Sequence, residues 1–278
     1  MTRLGHRMIV KVLTVDNNNF ILSVKSDKQM KRTSIILCLL IAAGSLFAQT
    51  AEQETGDTKK NLLKLNVTAL LLKNYSVQYE RILSKSSGIA LSFRTMPTTS
   101  VPLKGILLDL SDNDQDTKDV LDRLRLSNYA ITPEFRFYTG SRGYGRGFYI
   151  APYYRYAKFK SNDVVYDFNN NTESITLRGK FSSHSGGVML GAQWFLGKSL
   201  SLDWWIIGAH FGAGNGTFDG VTDHTLTPQE QADLRQSLED TDLPFGQKQV
   251  NVTANGASVK LTGGWPGLRA GLSLGFRF

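Results

Sequence analysis

Three short motifs and one scattered set of charges have the residue types that chemistry requires. His184 stands between Ser183 and Ser185, the raw material of a hydrolase in which an imidazole takes the serine proton and a carboxylate orients the imidazole. No neighbouring position nominates that carboxylate. On a strand, moreover, His184 and its two serines point to opposite faces. The expectation is a rim histidine and no catalytic residues, with His184, Ser183 and Ser185 as the alternative. Asp112-Asn-Asp114-Gln-Asp116 spaces its carboxylates as a calcium loop does, but the sixth position is Thr117 instead of Gly and the twelfth is Arg123 instead of Glu. No metal is expected there. The stretch reads as the capped start of a helix over 114–126, with Val120, Leu121 and Leu124 on one face. Gly143-Tyr-Gly145-Arg-Gly147 is too short for a phosphate cradle and no helix follows it, so it is a turn. His210 and His224 are isolated and carry no assigned role. The charges Lys64, Glu80, Arg94, Glu134, Arg136, Arg155, Asp203, Arg269 and Arg277 acquire meaning only once the elements that hold them are drawn.

Those elements are strands. From Gly267 to Phe278 every even position is apolar and every odd one is Gly, Ser or Arg, so alternate side chains give one greasy and one polar or empty face. Seven earlier segments share this period: 61–72, 75–83, 88–96, 129–138, 148–160, 181–196 and 200–213. Most approach or exceed the roughly 9–11 residues that a tilted strand needs to cross a bilayer. Short turns at 84–87, 140–147 and 197–199 alternate with longer loops at 97–128, 161–180 and 214–264, and only the connection at 73–74 is short for its side. This asymmetry predicts an eight-stranded antiparallel up-and-down transmembrane β-barrel with both termini on the short-turn, periplasmic side. Parity puts Leu63, Val77, Leu91, Phe137, Leu190 and Trp204 among the outward residues. Outward aromatics sort by depth, with Phe135, Phe137, Phe148, Trp194, Trp204, Phe276 and Phe278 beside the turns and Tyr75, Tyr129, Tyr154 and Tyr156 beside the loops. Two such belts are expected at two membrane interfaces. Two features resist. Pro133 and Pro152 fall inside strands, where each calls for a bulge, and Ile207 and Phe211 fall on the supposedly inner face of their strand.

The same parity sends all nine charges inward, six cations against three carboxylates. An eight-stranded barrel is narrow enough for side chains to fill, and buried charges must be paired or hydrated. The expectation is a salt-bridge plug, with a narrow anion-tolerant pore as the sharper alternative. The loops promise order. Thr227-Pro228-Gln229-Glu230 combines an N-cap, a first-turn proline and a capping-box glutamate ahead of a helix to about Asp240. Asn255-Gly256 between two alternating runs signals a hairpin.

Bulk properties narrow the class further. Met30-Lys-Arg32, the apolar run Ile35 to Ala43 and the small residue Ala48 have the layout of a secretory signal. The expected organisation is a spurious extension over 1–29, a signal over 30–48, a periplasmic lead over 49–60 and a barrel over 61–278. Seven of the 32 Lys+Arg and two of the 24 Asp+Glu precede Gln49, leaving 25 against 22 in the mature chain, a net of +3. Nucleic acid is not expected as a partner, since no clustered basic patch survives. Cys38, the only cysteine, lies in the apolar run after Leu37, which argues against lipidation, and the mature chain has no thiol chemistry.

Asn66-Val-Thr-Ala-Leu70, Tyr79-Glu80-Arg81, Pro133-Glu134-Phe135-Arg136-Phe137-Tyr138 and Gly147-Phe-Tyr-Ile-Ala-Pro-Tyr-Tyr-Arg155-Tyr156 resemble a Bacteroidetes family of outer-membrane barrels, domain-of-unknown-function family 3575, over roughly 60–278. The resemblance implies a Gram-negative outer-membrane barrel and supplies no activity to carry over. The expected protein is therefore a monomeric, structural or surface-presenting component without cofactors. Its partners would be outer-membrane lipids, lipopolysaccharide and the barrel-assembly machinery, which would read Phe276 and Phe278. Loops 97–128 and 214–264 would present any extracellular ligand site. The alternative is a small barrel that deacylates lipid A.

Overall fold

A computed structural model of the chain describes residues 59–110, 115–140, 144–161, 163–168, 173–240 and 246–278. The expected extension, signal and most of the lead lie outside them, as do Asp112 and Asp114. The described strands are β1 (Asn61–Asn66), β2 (Tyr75–Ile82), β3 (Ser87–Ser100), β4 (Arg125–Tyr138), β5 (Gly147–Ser161), β6 (Val164–Phe168), β7 (Glu173–Leu196), β8 (Leu200–Thr222), β9 (Gly246–Thr253), β10 (Gly256–Gly264) and β11 (Gly267–Arg277). The helices are α1 (Val67–Leu71), α2 (Lys104–Leu110), α3 (Gln115–Arg123) and α4 (Pro228–Glu239). Strands β1 to β5, β7, β8 and β11 pair antiparallel in chain order, and β1 returns to β11, so the sheet closes as an eight-stranded up-and-down barrel. Closure leaves no unpaired edge. Among the described residues no helix is long and apolar enough to cross a membrane.

The alternation translates directly into two faces. Leu63, Val77, Leu91, Phe137, Phe148, Val188 and Leu274 are exposed on the outside, whereas Lys64, Gln78, Ser92, Arg136 and Asp203 are buried inside. The misplaced Ile207 and Phe211 have a simple cause. Leu190 pairs Ile207 while Gly191 pairs Trp205, so Ile206 is an extra residue on β8. One inserted residue inverts the parity of everything after it. Ile207 (49% exposed) and Phe211 (63%) consequently face out, and His210 turns in.

Two expectations need correction. The first strand stops at Asn66, not at residue 72. The Asn66 carboxamide oxygen accepts from the Ala69 amide (2.8 Å) and from the Thr68 hydroxyl (2.8 Å), an N-cap that starts α1 in place of further strand. Val67, Ala69 and Leu71 are thus helical, and Thr68 accepts the Leu272 amide of β11 where β1 would have continued. Nor do the prolines make bulges. The β4–β5 register is constant from Leu126↔Ser161 to Tyr138↔Tyr149, with pairs missing only around Pro133 and Pro152. Both prolines keep their other neighbour (Leu91↔Pro133 and Pro152↔Val188), so both omit their N–H toward one shared seam.

Beyond the barrel, β7 and β8 continue past the strand ends expected from sequence. Together with β6, β10 and β9 they form an extension of the sheet. Gly214 on β8 has no room for a side chain, because an added Cβ would meet the Phe181 ring. Leu234 and Leu238 of α4 pack on Ile175, Leu226, Val252 and Val259, a small second core. The Thr227 capping box is present, with both reciprocal bonds formed. The β9–β10 turn is centred on Ala254-Asn255, one residue before the Asn-Gly pair. Gly256 pairs Thr253 at φ +137° against the Gly220 carbonyl, a geometry and a closeness that only glycine tolerates.

Candidate functional site in the barrel interior

Seven strands bring the lower interior together. Lys64 of β1 reaches Glu80 of β2, Gln193 of β7 and Asp203 of β8, the last at 2.6 Å. Arg136 of β4 donates to Glu80 at 3.0 Å, Asp203 at 2.7 Å, Glu134 at 3.1 Å and Gln78 at 2.8 Å. Its guanidinium also stacks on Tyr149, with the carbon 4.4 Å from the ring centroid. Arg269 of β11 completes the set on the other oxygen of Glu134, at 3.0 Å. Three cations therefore meet three carboxylates, and the layer is electrically neutral. Tyr149 donates to Asp203 at 2.7 Å and Tyr138 donates to Glu80, so phenols fill the remaining lone pairs. Such saturation is what lets a buried ionic layer persist, because an unpaired buried charge is costly.

Apolar bulk fills what remains, with Tyr138, Tyr149, Ala151, Met189 and Trp205 around the network and Leu62 and Ile82 below it. Tyr144 and Gly145 tuck under this layer. The Gly145 carbonyl accepts from Gln193 at 2.8 Å, and the Tyr144 amide donates to the Lys85 carbonyl at 2.8 Å. The lower half is a filled plug.

The structure does not join the remaining three cations to this network. Arg277, near the short turns, lies 3.6 Å from the Phe195 ring centroid. Arg94 and Arg155 stand higher. Arg155 donates to Thr132 at 3.0 Å and Arg94 makes a long contact of 3.5 Å to Asn128. Sequence parity missed the neutral partners Gln78, Gln193, Tyr138 and Tyr149, although each sits at an inward position on a strand already assigned. It also missed His210, which the bulge turned inward to meet the Tyr153 hydroxyl at 3.0 Å.

The serine–histidine motif divides across the wall. His184 is on the outside with the Tyr154 hydroxyl at its Nδ1 and the Tyr156 ring 4.9 Å away, while Ser183 and Ser185 are buried inside. Among the described residues no group of His, Cys, Asp and Glu is placed to hold a metal.

Fold and interior together define a small closed β-barrel with an ionic plug. The chain belongs to the family described as protein of unknown function (DUF3575), whose sequence model matches residues 35–218, from the apolar run into the upper part of β8. No curated protein and no solved structure matches the chain.

Proposed function

We propose that the protein is an outer-membrane β-barrel of structural or surface-presenting type, non-enzymatic and closed by its own side chains. One observation carries this reading: a continuous belt of large apolar side chains exposed around a closed barrel, among them Leu63, Tyr79, Leu91, Phe137, Ile150, Val188, Ile207 and Leu274. A soluble protein rarely exposes an apolar patch beyond a few hundred Å², whereas lipid requires one. The depth sorting agrees. Trp194 and Trp204 stack beside the short turns, and Tyr129, Tyr154 and Tyr156 ring the other end. Above those tyrosines, Lys160 and Lys180 are direct cross-strand partners on the outside. Like charges set opposite repel, and anionic headgroups of an outer leaflet would relieve them.

The separation of His184 from Ser183 and Ser185 supports a non-catalytic wall, and the filled lower half supports a barrel that conducts poorly. The ordered platform of α4, β9 and β10 supports presentation to an extracellular partner. Outer-membrane fractionation combined with a heat-modifiable gel shift tests the reading. Compact, detergent-extracted protein in the outer-membrane fraction is expected, and soluble periplasmic protein would overturn it.

A further inference from the structure

Above the neutral plug the interior carries arginines that form no ion pair with a carboxylate among the described residues. Arg94, Arg155 and Arg269 lie within electrostatic reach of one another, and all three act on His210. Among the described residues no carboxylate pairs with Arg94 or Arg155, and Glu134 is already shared by Arg136 and Arg269. The donors are largely unused. Three guanidinium groups offer roughly fifteen N–H bonds. Among the described residues Arg94 Nε and Arg269 Nη1 are buried with no hydrogen-bond partner, and Arg155, only 7% exposed, donates to Thr132 alone. Uncompensated cations this deep are costly unless a counter-charge joins them. Solvent nevertheless reaches the place, since Arg94, Arg269 and His210 keep partial exposure while Arg136 beneath them has none.

We propose that this arginine cluster is a binding site for a phosphate monoester that enters from the loop end of the barrel. The charge arithmetic selects the class. With the plug neutral, Arg94 and Arg155 leave a surplus of two, and a phosphate monoester carries close to two negative charges above its second pKa of about 6. Planar guanidinium forks match its oxygens in pairs. Four residues farther up β5 is Phe159, which packs with Phe181 and Trp265 as an aromatic cluster, ring centroids 4.4 to 6.4 Å apart. An aromatic face above a cationic floor suits a small cyclic body with a phosphate tail, a sugar phosphate being the simplest. The inference rests on the closed barrel, not on the membrane assignment, which fractionation tests separately.

The test uses the full chain refolded in a phosphate-free detergent, its thermal midpoint followed with inorganic phosphate, glucose 1-phosphate, glucose and chloride at matched ionic strength. Phosphate at a hundredfold excess over its Kd should raise the midpoint by about 5 °C. Glucose 1-phosphate should act at lower concentration, and chloride and glucose should do nothing. Each effect should weaken at pH 5, where the monoester loses half its charge. Arg94→Gln and Arg155→Gln should each weaken phosphate binding about tenfold or more, and Trp265→Ala should erase the preference for the sugar phosphate. Folding is not at risk in the arginine variants. Each removes an uncompensated charge, so their midpoints without ligand should match or exceed that of the parent. Equal shifts with chloride, an unchanged phosphate response in the Arg94→Gln/Arg155→Gln double variant, or a lower ligand-free midpoint for Arg155→Gln would overturn the site.

Discussion

Replacing Arg136 by Met tests the plug most directly. The substitution keeps length and apolar stem but removes a guanidinium with no exposure to solvent, four hydrogen-bonding partners and a stacked ring. Three carboxylates would then face Lys64 and Arg269 only, and Glu80 and Asp203 would share the single ammonium of Lys64. One negative charge is left buried without compensation. Breaking a buried ion pair from one side costs about 3–5 kcal/mol, so a loss of that size is expected, equivalent to roughly 10 °C in thermal midpoint for a domain of this length. Adding Glu80→Gln restores neutrality and should recover about half of the loss. Arg155→Met, which leaves no acid behind and removes an unpaired charge, should match the parent or be more stable by up to about 1 kcal/mol. Urea titration of protein folded into phosphocholine vesicles, read by tryptophan fluorescence and gel mobility, measures all four. The reasoning fails if Arg136→Met falls within about 1 kcal/mol of the parent, or if Glu80→Gln deepens the defect.

Planar-bilayer recording of the purified protein should show no stable porin-sized conductance, because Arg136, Lys64, Tyr149 and Gln193 are fully buried across the lower interior; a large, reproducible open channel would refute the plug. Lipid A mass spectra should be identical with the parent gene, without it and with His184→Ala, whereas a loss of one acyl chain that depends on His184 would establish the enzyme instead. In the extension, the Thr227 amide lowers the Glu230 carboxyl, and the Ser174 amide with the His224 ring holds Asp223 down to about 2. Groups with lowered pKa contribute stability that is present above the ordinary carboxylate range near 4 and is lost as pH falls toward 2. Protection from hydrogen exchange over α4, taken relative to the intrinsic amide rate at each pH, should therefore fall between pH 4 and 2, and Glu230→Gln should flatten that dependence. Thr227→Ala should loosen α4 by about 1 kcal/mol at neutral pH, read as faster exchange confined to the extension.

The barrel itself was legible because two-residue alternation is a local property. Each strand from β2 to β5 and β11 shows its greasy face in its own residues, and lipid-scale length with alternating turn lengths does the rest. Parity likewise assigned every inward charge, from Lys64 to Arg277. The capping box at Thr227 could be read because all of its atoms lie within four residues. What escaped was non-local or compensated elsewhere. The extension of β7 and β8 shows weak alternation because it lies beyond the closed barrel and has no filled lumen on one side, and its partners arrive from as far away as β9 and β10. The bulge at Ile206 is set by what β7 and β11 require opposite it, and it alone decides that His210 points in. Asn66 ends β1 because α1 can settle on β11, more than 200 residues later in the chain. Above all, the sequence determined that six cations and three carboxylates share one lumen, and only the tertiary structure decided which of them meet. Depth along the barrel axis puts Lys64, Arg136 and Arg269 among the carboxylates and strands Arg94 and Arg155 above them, since Coulomb attraction in a low-dielectric interior depends on angstroms of separation and not on membership of a face.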